Sequence, residues 1–586
     1  MAQSQIIDID KPGASTEAQP ATNWSEQWRE ALGPSWRWQI GFFAILLFVT
    51  GLSLPFADPD LSIHLATGEW IARHHAVPFV EPFAWTRPGA PFQAYSWAIE
   101  TLYFVVLSHF GPMGLSVLQG IVYVLLAVVM FVLGKAVGWN PWATFLMIAA
   151  NITVALGATP YVRPQVVLLI ILPLIWAMVY RSLDTRRLGW TLAGLLGASA
   201  VLANTHLLFP LAAAPCVLLL TQPPADRRRV ALVPLAIAAG WFMSPYALHW
   251  VDVFRLNFAP NALFGPPTGI NEYKPGYLMM LIGGNSSLAL AILFTFLPWA
   301  AAPRFSATER ILYGLLWLAG LLMFALAVRS LVVWWLLVIP LCSIVLAQLQ
   351  TPRTPLVLTA QRAIVPALFI VVALQALEAW LDPALRAGDV SSRYLPSTNA
   401  KSIEPLARWL DCYTKHDVGG RLVTTFNYGG YVPWRLPYLS ESIDGRVIFA
   451  DSVSKPETYF VPTKREIPLQ PWRTADLAIF PVSLPVAAVL DTASGWHRAA
   501  ITSEIEGPAR IIGLWVSDRW WQRAGKIQLP HGPLPAMHTL DPRRATCADV
   551  TPKLKLRRRR YRLCAAADSG VWETGRGRGA VAGRAM

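Results

Sequence analysis

Charge is what this sequence has least of. Only 14% of its residues are Asp, Glu, Lys or Arg, where soluble proteins carry roughly 25%. Hydrophobic residues make up 54%, and the mean hydropathy is +0.42. Too few polar side chains remain to cover the water-facing surface of a 586-residue chain. Most of the chain therefore belongs in lipid, which excludes a soluble enzyme and a disordered scaffold. Cysteine is scarce as well. Cys216, Cys342, Cys412, Cys547 and Cys564 follow no zinc or redox spacing, and so few exclude a disulfide-framework secreted domain. Transport is not excluded.

What the sequence does have is long apolar runs and tryptophan. The 26 Trp suit a membrane interface, and the 47 Pro fall largely outside the apolar runs, in loops. The net charge of +14 comes from Arg clusters beside apolar segments and from a basic run, Lys553 to Arg562, with a Gly/Arg tail. No recognition module accompanies it, so nucleic acid is not an expected partner. After a polar start, Trp24 to Leu32 reads as an amphipathic helix lying on the membrane, and Trp38–Leu54 as an anchor, since no small-residue cleavage site follows. Ten further apolar runs extend from Ser96–Phe110 to Ile364–Leu381, among them Trp190–Leu220 and Ser286–Ala302. A span needs roughly 20 apolar residues, so about 11–13 spans are expected.

Positive charge sets the orientation. Arg181, Arg186 and Arg187, then Arg227 to Arg229, Arg304 with Arg310, and Arg353 with Arg362 go inside. Trp190–Leu220 then becomes a hairpin with Asn204 and His206 at its outer tip. Arg163, the loop from His249 to Asn285, Arg329 and everything after Leu381 go outside. One segment is then in excess. Ser96–Phe110, short and carrying Glu100, is read as tilted, re-entrant or otherwise non-spanning. From 394 to 526 short strands (Arg421–Phe426, Ser442–Phe449, Asp476–Phe480, His497–Ser503, Arg510–Val516) alternate with helical stretches. This stretch has no nucleophile elbow, phosphate-binding Gly loop or metal spacing, so it reads as recognition rather than catalysis. The fold class is a polytopic α-helical membrane protein with a small C-terminal α/β extracytoplasmic domain. Its parts are a cytoplasmic segment 1–36, a membrane domain 37–381 with first outer loop 56–95, the outer domain 394–526, and a basic tail 527–586 that is expected to be disordered.

The first outer loop is the most informative stretch. Asp58-Pro59-Asp60-Leu61 precedes His64 and Thr67-Gly68-Glu69-Trp70. Pro59 fixes its own φ and extends Asp58, so both carboxylates can face one small volume. Carboxylates at a low-dielectric boundary accept a proton or hold a hard divalent cation, Mg2+ or Mn2+. Asp60 also suits an N-cap, with His64 on the same helix face. The same outer side collects Asn204 and His206, a polar break in an apolar stretch, together with Glu272, Arg163 and Arg329. Arginine placed outside opposes the usual bias. A phosphate-bearing lipid would explain it, because guanidinium matches phosphate bidentately.

Together these residues resemble a bacterial branch of the GT-C superfamily of membrane glycosyltransferases. The likeness rests on Asp58-Pro59-Asp60-Leu61-x-x-His64, Glu81-Pro82-Phe83, Arg163-Pro164-Gln165, Ala203-Asn204-Thr205-His206 and Ser244-Pro245-Tyr246. In the outer domain it rests on Asn427 to Tyr431 and Ile443-Asp444-Gly445-Arg446. Ser62 and Ile63 stand where that branch usually has aromatics. The resemblance implies sugar transfer from a polyprenyl-phosphate-type donor to a glycan, lipid or protein acceptor at the outer face of a bacterial inner membrane. It puts Asp60 and Asp58 in the place of the first-loop acid, which serves as base or metal ligand. Arg163 and Arg329 would meet the lipid phosphate, with His64, Asn204, His206 and Glu272 as further binding groups. The competing readings are a transporter or flippase of a lipid-linked or anionic substrate, and a non-enzymatic membrane scaffold. The orientation is tested at Ser440: a Ser440→Cys protein should react with an impermeant thiol reagent in intact cells, and reaction only after the inner face is opened would reverse the topology.

Overall fold

A computed structural model of the chain describes residues 24–54, 60–158, 163–182, 188–221, 231–257, 292, 295, 306–326, 330–348, 398–442, 473–502, 511–526, 539 and 540. The chain divides into two compact units, one of Met1–Pro396 with Asp444–Tyr459 and the other of Ser397–Ile443 with Phe460–Met586.

The N-terminal unit is helical. Its elements are α1 (Trp24–Leu32), α2 (Trp36–Ser53), α3 (Leu61–His74), α4 (Trp97–Val137), α5 (Pro141–Ala158), α6 (Val166–Ser182) and α7 (Leu188–Thr205). A 3-10 segment (Phe209–Thr221), α8 (Leu232–Trp241), α9 (Trp250–Asn257), α10 (Ala307–Leu326) and α11 (Leu331–Gln348) follow. Among the described residues α2, α4, α7 and α10 are long and apolar enough to cross a membrane. The expected span Ile364–Leu381 and most of Ser286–Ala302 lie outside the described residues. Apolar side chains of α2, α4, α7 and α10 face outward, including Ile45, Ile121, Val201, Leu315 and Leu322. An outer surface of this kind belongs against lipid tails.

Because lipid tails are as apolar as leucine, helices in a bilayer associate by close backbone approach and by internal hydrogen bonds. Both devices operate here. A Cβ added to Gly51 on α2 would lie 2.8 Å from the Gln119 carbonyl and 2.9 Å from the Gly120 Cα on α4. Only paired glycines allow that crossing. Asn151 of α5, fully buried, donates to the carbonyls of Leu126 (3.2 Å) and Leu169 (3.4 Å) and accepts from the Trp335 indole (3.0 Å). One amide thereby joins four helices, α4, α5, α6 and α11. The apolar face of α1 packs on protein: Trp28 lies against Phe131 and Phe145, where the sequence suggested a membrane surface.

The segment expected to be tilted or re-entrant is helical. It forms the first part of α4, which breaks at Gly111, whose φ of 64° only glycine adopts freely, followed by Pro112. At about 1.5 Å per residue, 97–110 extends about 21 Å, short of the ~30 Å hydrocarbon core. The polar break in Trp190–Leu220 is also a break in structure. α7 ends at Thr205 and the 3-10 segment starts at Phe209.

The C-terminal unit is a six-stranded mixed sheet in the order β2-β1-β3-β5-β4-β6. It is built from α12 (Thr398–Tyr413), β1 (Gly420–Thr424), α13 (Phe426–Gly429), α14 (Val432–Arg435), β2 (Leu439–Ser440), β3 (Leu477–Pro481), α15 (Pro485–Thr492), β4 (Trp496–Thr502), β5 (Ile512–Ser517), α16 (Asp518–Ala524) and β6 (Thr539–Leu540). β1 runs parallel to β2 and β3, while β5 is antiparallel to β3 and β4. β3 and β5 are buried nearly throughout, as their near-continuous apolar sequences require of a sheet covered on both faces. Nearly all of the expected strand Ser442–Phe449 lies outside the described residues. β6 pairs with β4 and comes from the stretch 527–586 that reads as a basic tail. Cys412, on α12, is disulfide-bonded, while Cys216 and Cys342 are free.

A buried ionic cluster ties α12 to Tyr431 and α14. Glu404 accepts from the Tyr431 hydroxyl, from Arg408 Nε (3.0 Å) and from Arg435 Nε (3.1 Å), and Arg435 reaches Asp411 at 2.7 Å. Burial alone would raise the Glu404 carboxyl, but Arg435, the Tyr431 hydroxyl and Arg408 together hold it below the usual range. A carboxyl lowered on folding stabilises above its unfolded value and loses that contribution as pH falls through the folded one. Glu404→Gln removes the carboxylate that Arg408 and Arg435 share and leaves Arg435 with Asp411 alone. It is expected to cost the unit about 3–5 kcal/mol and to erase the loss of stability on acidification, measured as protease protection of 398–526 in the full-length protein on heating at graded pH.

Candidate functional site

α3 starts at Leu61, with Asp60 at the N-cap position. Its side chain accepts no capping hydrogen bond from the helix, so the cap expected from sequence is positional only. The carboxylate faces Arg163 instead, Oδ2 to guanidinium at 3.5 Å. Arg163 is set by Pro164 just ahead of α6, and its carbonyl accepts the Val166 amide at 3.0 Å. The Arg163 side chain is 11% exposed and that of Asp60 34%: the cation is held inside and the acid faces outward. The N-termini of α3 and α6 therefore meet at this pair, and both helix dipoles add positive potential to that of the guanidinium.

His64 lies one turn along α3 from Asp60, and its amide donates to the Asp60 carbonyl at 3.1 Å. Helical geometry at Asp60 places the two side chains on one face. The His64 Nδ1–H donates to Glu100 Oε1 on α4 at 2.7 Å. That direction follows from the chemistry, since a carboxylate only accepts. Glu100 is the residue sequence reasoning missed. A charge inside an apolar run reads as a defect in a span, whereas here it is buried and matched by an imidazole 36 positions earlier.

A glycine makes the match possible. A Cβ on Gly68, one further turn along α3, would lie 2.2 Å from the Glu100 carbonyl oxygen and 2.9 Å from Phe104 Cβ. α3 thus lies directly on the backbone of α4 beside Glu100.

The rest of the first loop is stapled in place. His75 ends α3 in the left-handed conformation, φ 51°. Val80 and Pro91 form an antiparallel bridge. Glu81 closes the turn between them by accepting from the amides of Phe83 (2.8 Å) and Ala84 (3.0 Å). The Tyr246 hydroxyl donates to the Pro78 carbonyl (3.0 Å) and accepts from the Ala94 amide (2.9 Å). Asn204 accepts from the Trp97 indole (2.8 Å) and donates to the carbonyls of Ala200 (2.8 Å) and Met243 (3.3 Å). Asn204, expected to bind substrate, thus has both ends of its amide engaged in holding the start of α4. His206 is buried, and its Nδ1 accepts the Leu208 amide at 3.0 Å. Of the other expected site residues, Asp58, Glu272 and Arg329 lie outside the described residues.

The fit to a divalent cation is poor among the described residues. No three His, Cys, Asp or Glu side chains are grouped as ligands. Asp60 faces a guanidinium and His64 faces Glu100, and Asp58 is outside the described set. Arg163 brings to Asp60 the positive charge that a metal would supply.

No protein-family profile matches the chain, and no curated protein matches it in sequence. Several solved structures resemble it, two of which serve as examples. ArnT from Cupriavidus metallidurans bound to undecaprenyl phosphate is 15% identical, covers 82% of this chain and 98% of its own, and superposes with a TM-score of 0.48. The archaeal oligosaccharyltransferase AglB from Archaeoglobus fulgidus, in complex with an inhibitory peptide and a dolichol-phosphate, is 12% identical, with coverage of 78% and 70% and a TM-score of 0.48.

Gly68→Ala tests the crossing. The added methyl meets backbone, not a movable side chain, so α3 must lift from α4. The full-length protein in detergent should lose about 1–3 kcal/mol, read as a lower melting temperature. An unchanged melting temperature would mean that the two backbones are not in contact.

Proposed function

We propose that this protein is a membrane glycosyltransferase that moves a sugar from a polyprenyl-phosphate-type lipid to an acceptor at the outer face of the membrane. The observation that carries the reading is the pair formed by the outward-facing Asp60 and the inward-held Arg163 where two helix N-termini meet. Backbone amides at helix starts and a guanidinium together form an anion site suited to phosphate. An acid beside it suits an acceptor hydroxyl. The donor's tail would stay in lipid while its head group reacts at this boundary.

In the transition state, charge grows on the departing lipid phosphate. Preorganised donors aimed at that charge lower the barrier, and Arg163 takes this role, with Arg329 as a second guanidinium. Asp60 orients or deprotonates the acceptor hydroxyl, and Asp58 helps to position it. His64, His206 and Glu272 line the sugar or phosphate oxygens, and Asn204 holds the start of α4 beside them. The outer α/β unit binds or covers the acceptor. Its disulfide-bonded Cys412 supports the outer location, because disulfides persist mainly outside the cytoplasm.

Asp60→Asn keeps the shape and the helix start but removes the charge. Sugar transfer from lipid-phosphate donors, assayed in membranes, should fall by at least about 10²-fold, the lower end for a lost general base and the scale of a misplaced reactant. Insertion and melting should stay normal. Full activity in the folded variant would remove Asp60 from the chemistry. An inactive wild type with every lipid-phosphate sugar tried would turn the reading to a transporter or scaffold.

A further inference from the structure

Glu100 has no part in the roles assigned above, and its surroundings set it apart. It is a buried acid in an apolar helix. One of its oxygens binds His64 Nδ1 at 2.7 Å. The other, Oε2, is buried without a hydrogen bond among the described residues. A buried carboxylate left half satisfied is costly, and a structural tie between two helices would need only a neutral acceptor such as glutamine. The carboxylate gains its use when the imidazole becomes a cation. His64 is 18% exposed, while Glu100 behind it is 8% exposed. The ring therefore bridges from a buried carboxylate to the face it shares with Asp60.

We propose that His64 is the catalytic base of the transfer and Glu100 its positioning residue. This rests on the glycosyltransferase reading and divides the labour within it. Asp60, already held by Arg163, orients the acceptor. With Nδ1–H bonded to Glu100, the ring presents Nε2 as the basic nitrogen. The acceptor oxygen forms its bond to the anomeric carbon with a lone pair, and its proton passes to His64 Nε2. The bond from the anomeric carbon to the lipid phosphate breaks, and its electron pair leaves on the phosphate oxygen beside Arg163. The imidazolium that results lies against the Glu100 carboxylate, which offsets its charge where water is excluded.

The test has two arms on the full-length protein in lipid nanodiscs. The first needs no turnover: carbethoxylation of His64 by diethylpyrocarbonate, followed by peptide mass spectrometry. The expected result is an adduct on His64 that forms more slowly in Glu100→Gln and is blocked by undecaprenyl phosphate. An unreactive His64, or equal rates in the two proteins, overturns the pairing whatever the protein's activity. The second arm is transfer from a panel of undecaprenyl-phosphate-linked sugars. His64→Ala should lose about 10²–10⁴-fold in rate, and added imidazoles should restore part of it, more so the more basic they are. A purely structural histidine would show no such dependence on basicity. His64→Ala at the wild-type rate, with Asp60→Asn inactive, returns the base to Asp60 and leaves glycosyl transfer standing. A wild type inactive with the whole panel, while the His64 adduct forms as expected, overturns glycosyl transfer itself and this role with it.

Discussion

The contact between Gly68 and the backbone of Glu100 is the constraint on which the candidate site depends. A side chain of any size at 68 would meet a carbonyl oxygen at 2.2 Å, so glycine alone lets α3 lie on α4 at this depth. Three consequences follow. His64, one turn earlier, comes within hydrogen-bond distance of the Glu100 carboxylate. Asp60, one turn earlier again, is fixed at the mouth of α3 where Arg163 reaches it. The loop beyond α3 must then return to the start of α4; Tyr246 and Glu81 hydrogen-bond its backbone on the way, and Asn204 holds the Trp97 indole at its end. In a membrane setting, where burying apolar area between helices yields little, a backbone crossing and a few internal polar ties are the available means of fixing geometry.

Much of this was legible in the sequence, and what was not has physical causes. The apolar runs identified helices because lipid demands them. Four of the expected strands coincide closely with β1, β3, β4 and β5, since short β-branched and aromatic runs bounded by turn residues leave few alternatives. Asp60 and Arg163 were both selected, one for its place beside the anchor and one for opposing the charge bias, and the fold brings them together. Glu100 was passed over because a one-dimensional reading prices a buried charge without its partner. The partner is 36 residues away on another helix, and no periodicity links them. Asn204 shows how polarity in an apolar stretch can also serve the fold. Its polarity in an apolar stretch pointed to a ligand, while its amide is occupied by Trp97, Ala200 and Met243. Tyr246 likewise spends its hydroxyl on two backbone groups. A motif of polar residues cannot by itself separate groups that touch a substrate from groups that hold the loop that does.

The C-terminal unit follows the same logic. Its Glu404 cluster joins α12 to Tyr431 and α14 through a carboxylate that three donors share. Tyr431, the last residue of the Asn427-to-Tyr431 motif, is one of them, so part of that motif is explained by packing alone. The recognition role proposed for this unit must therefore rest on other residues of the sheet's faces and ends, not on Tyr431.

The electrostatics of the first-loop site favour a reaction over simple binding. At rest it holds two oppositely charged or chargeable pairs, Asp60 with Arg163 and Glu100 with His64. Burying a pair costs far less than burying either member alone, which explains how these groups are tolerated beside apolar helices. On the proposed reading, transfer redistributes charge between the pairs without creating an unmatched one. A proton arriving on His64 meets the Glu100 carboxylate, and the negative charge leaving on phosphate meets Arg163. A site built only to hold a phosphate would need the guanidinium and the helix starts, but not a half-satisfied acid behind an imidazole. That surplus group is what separates a site prepared for a moving proton from one prepared for a static anion.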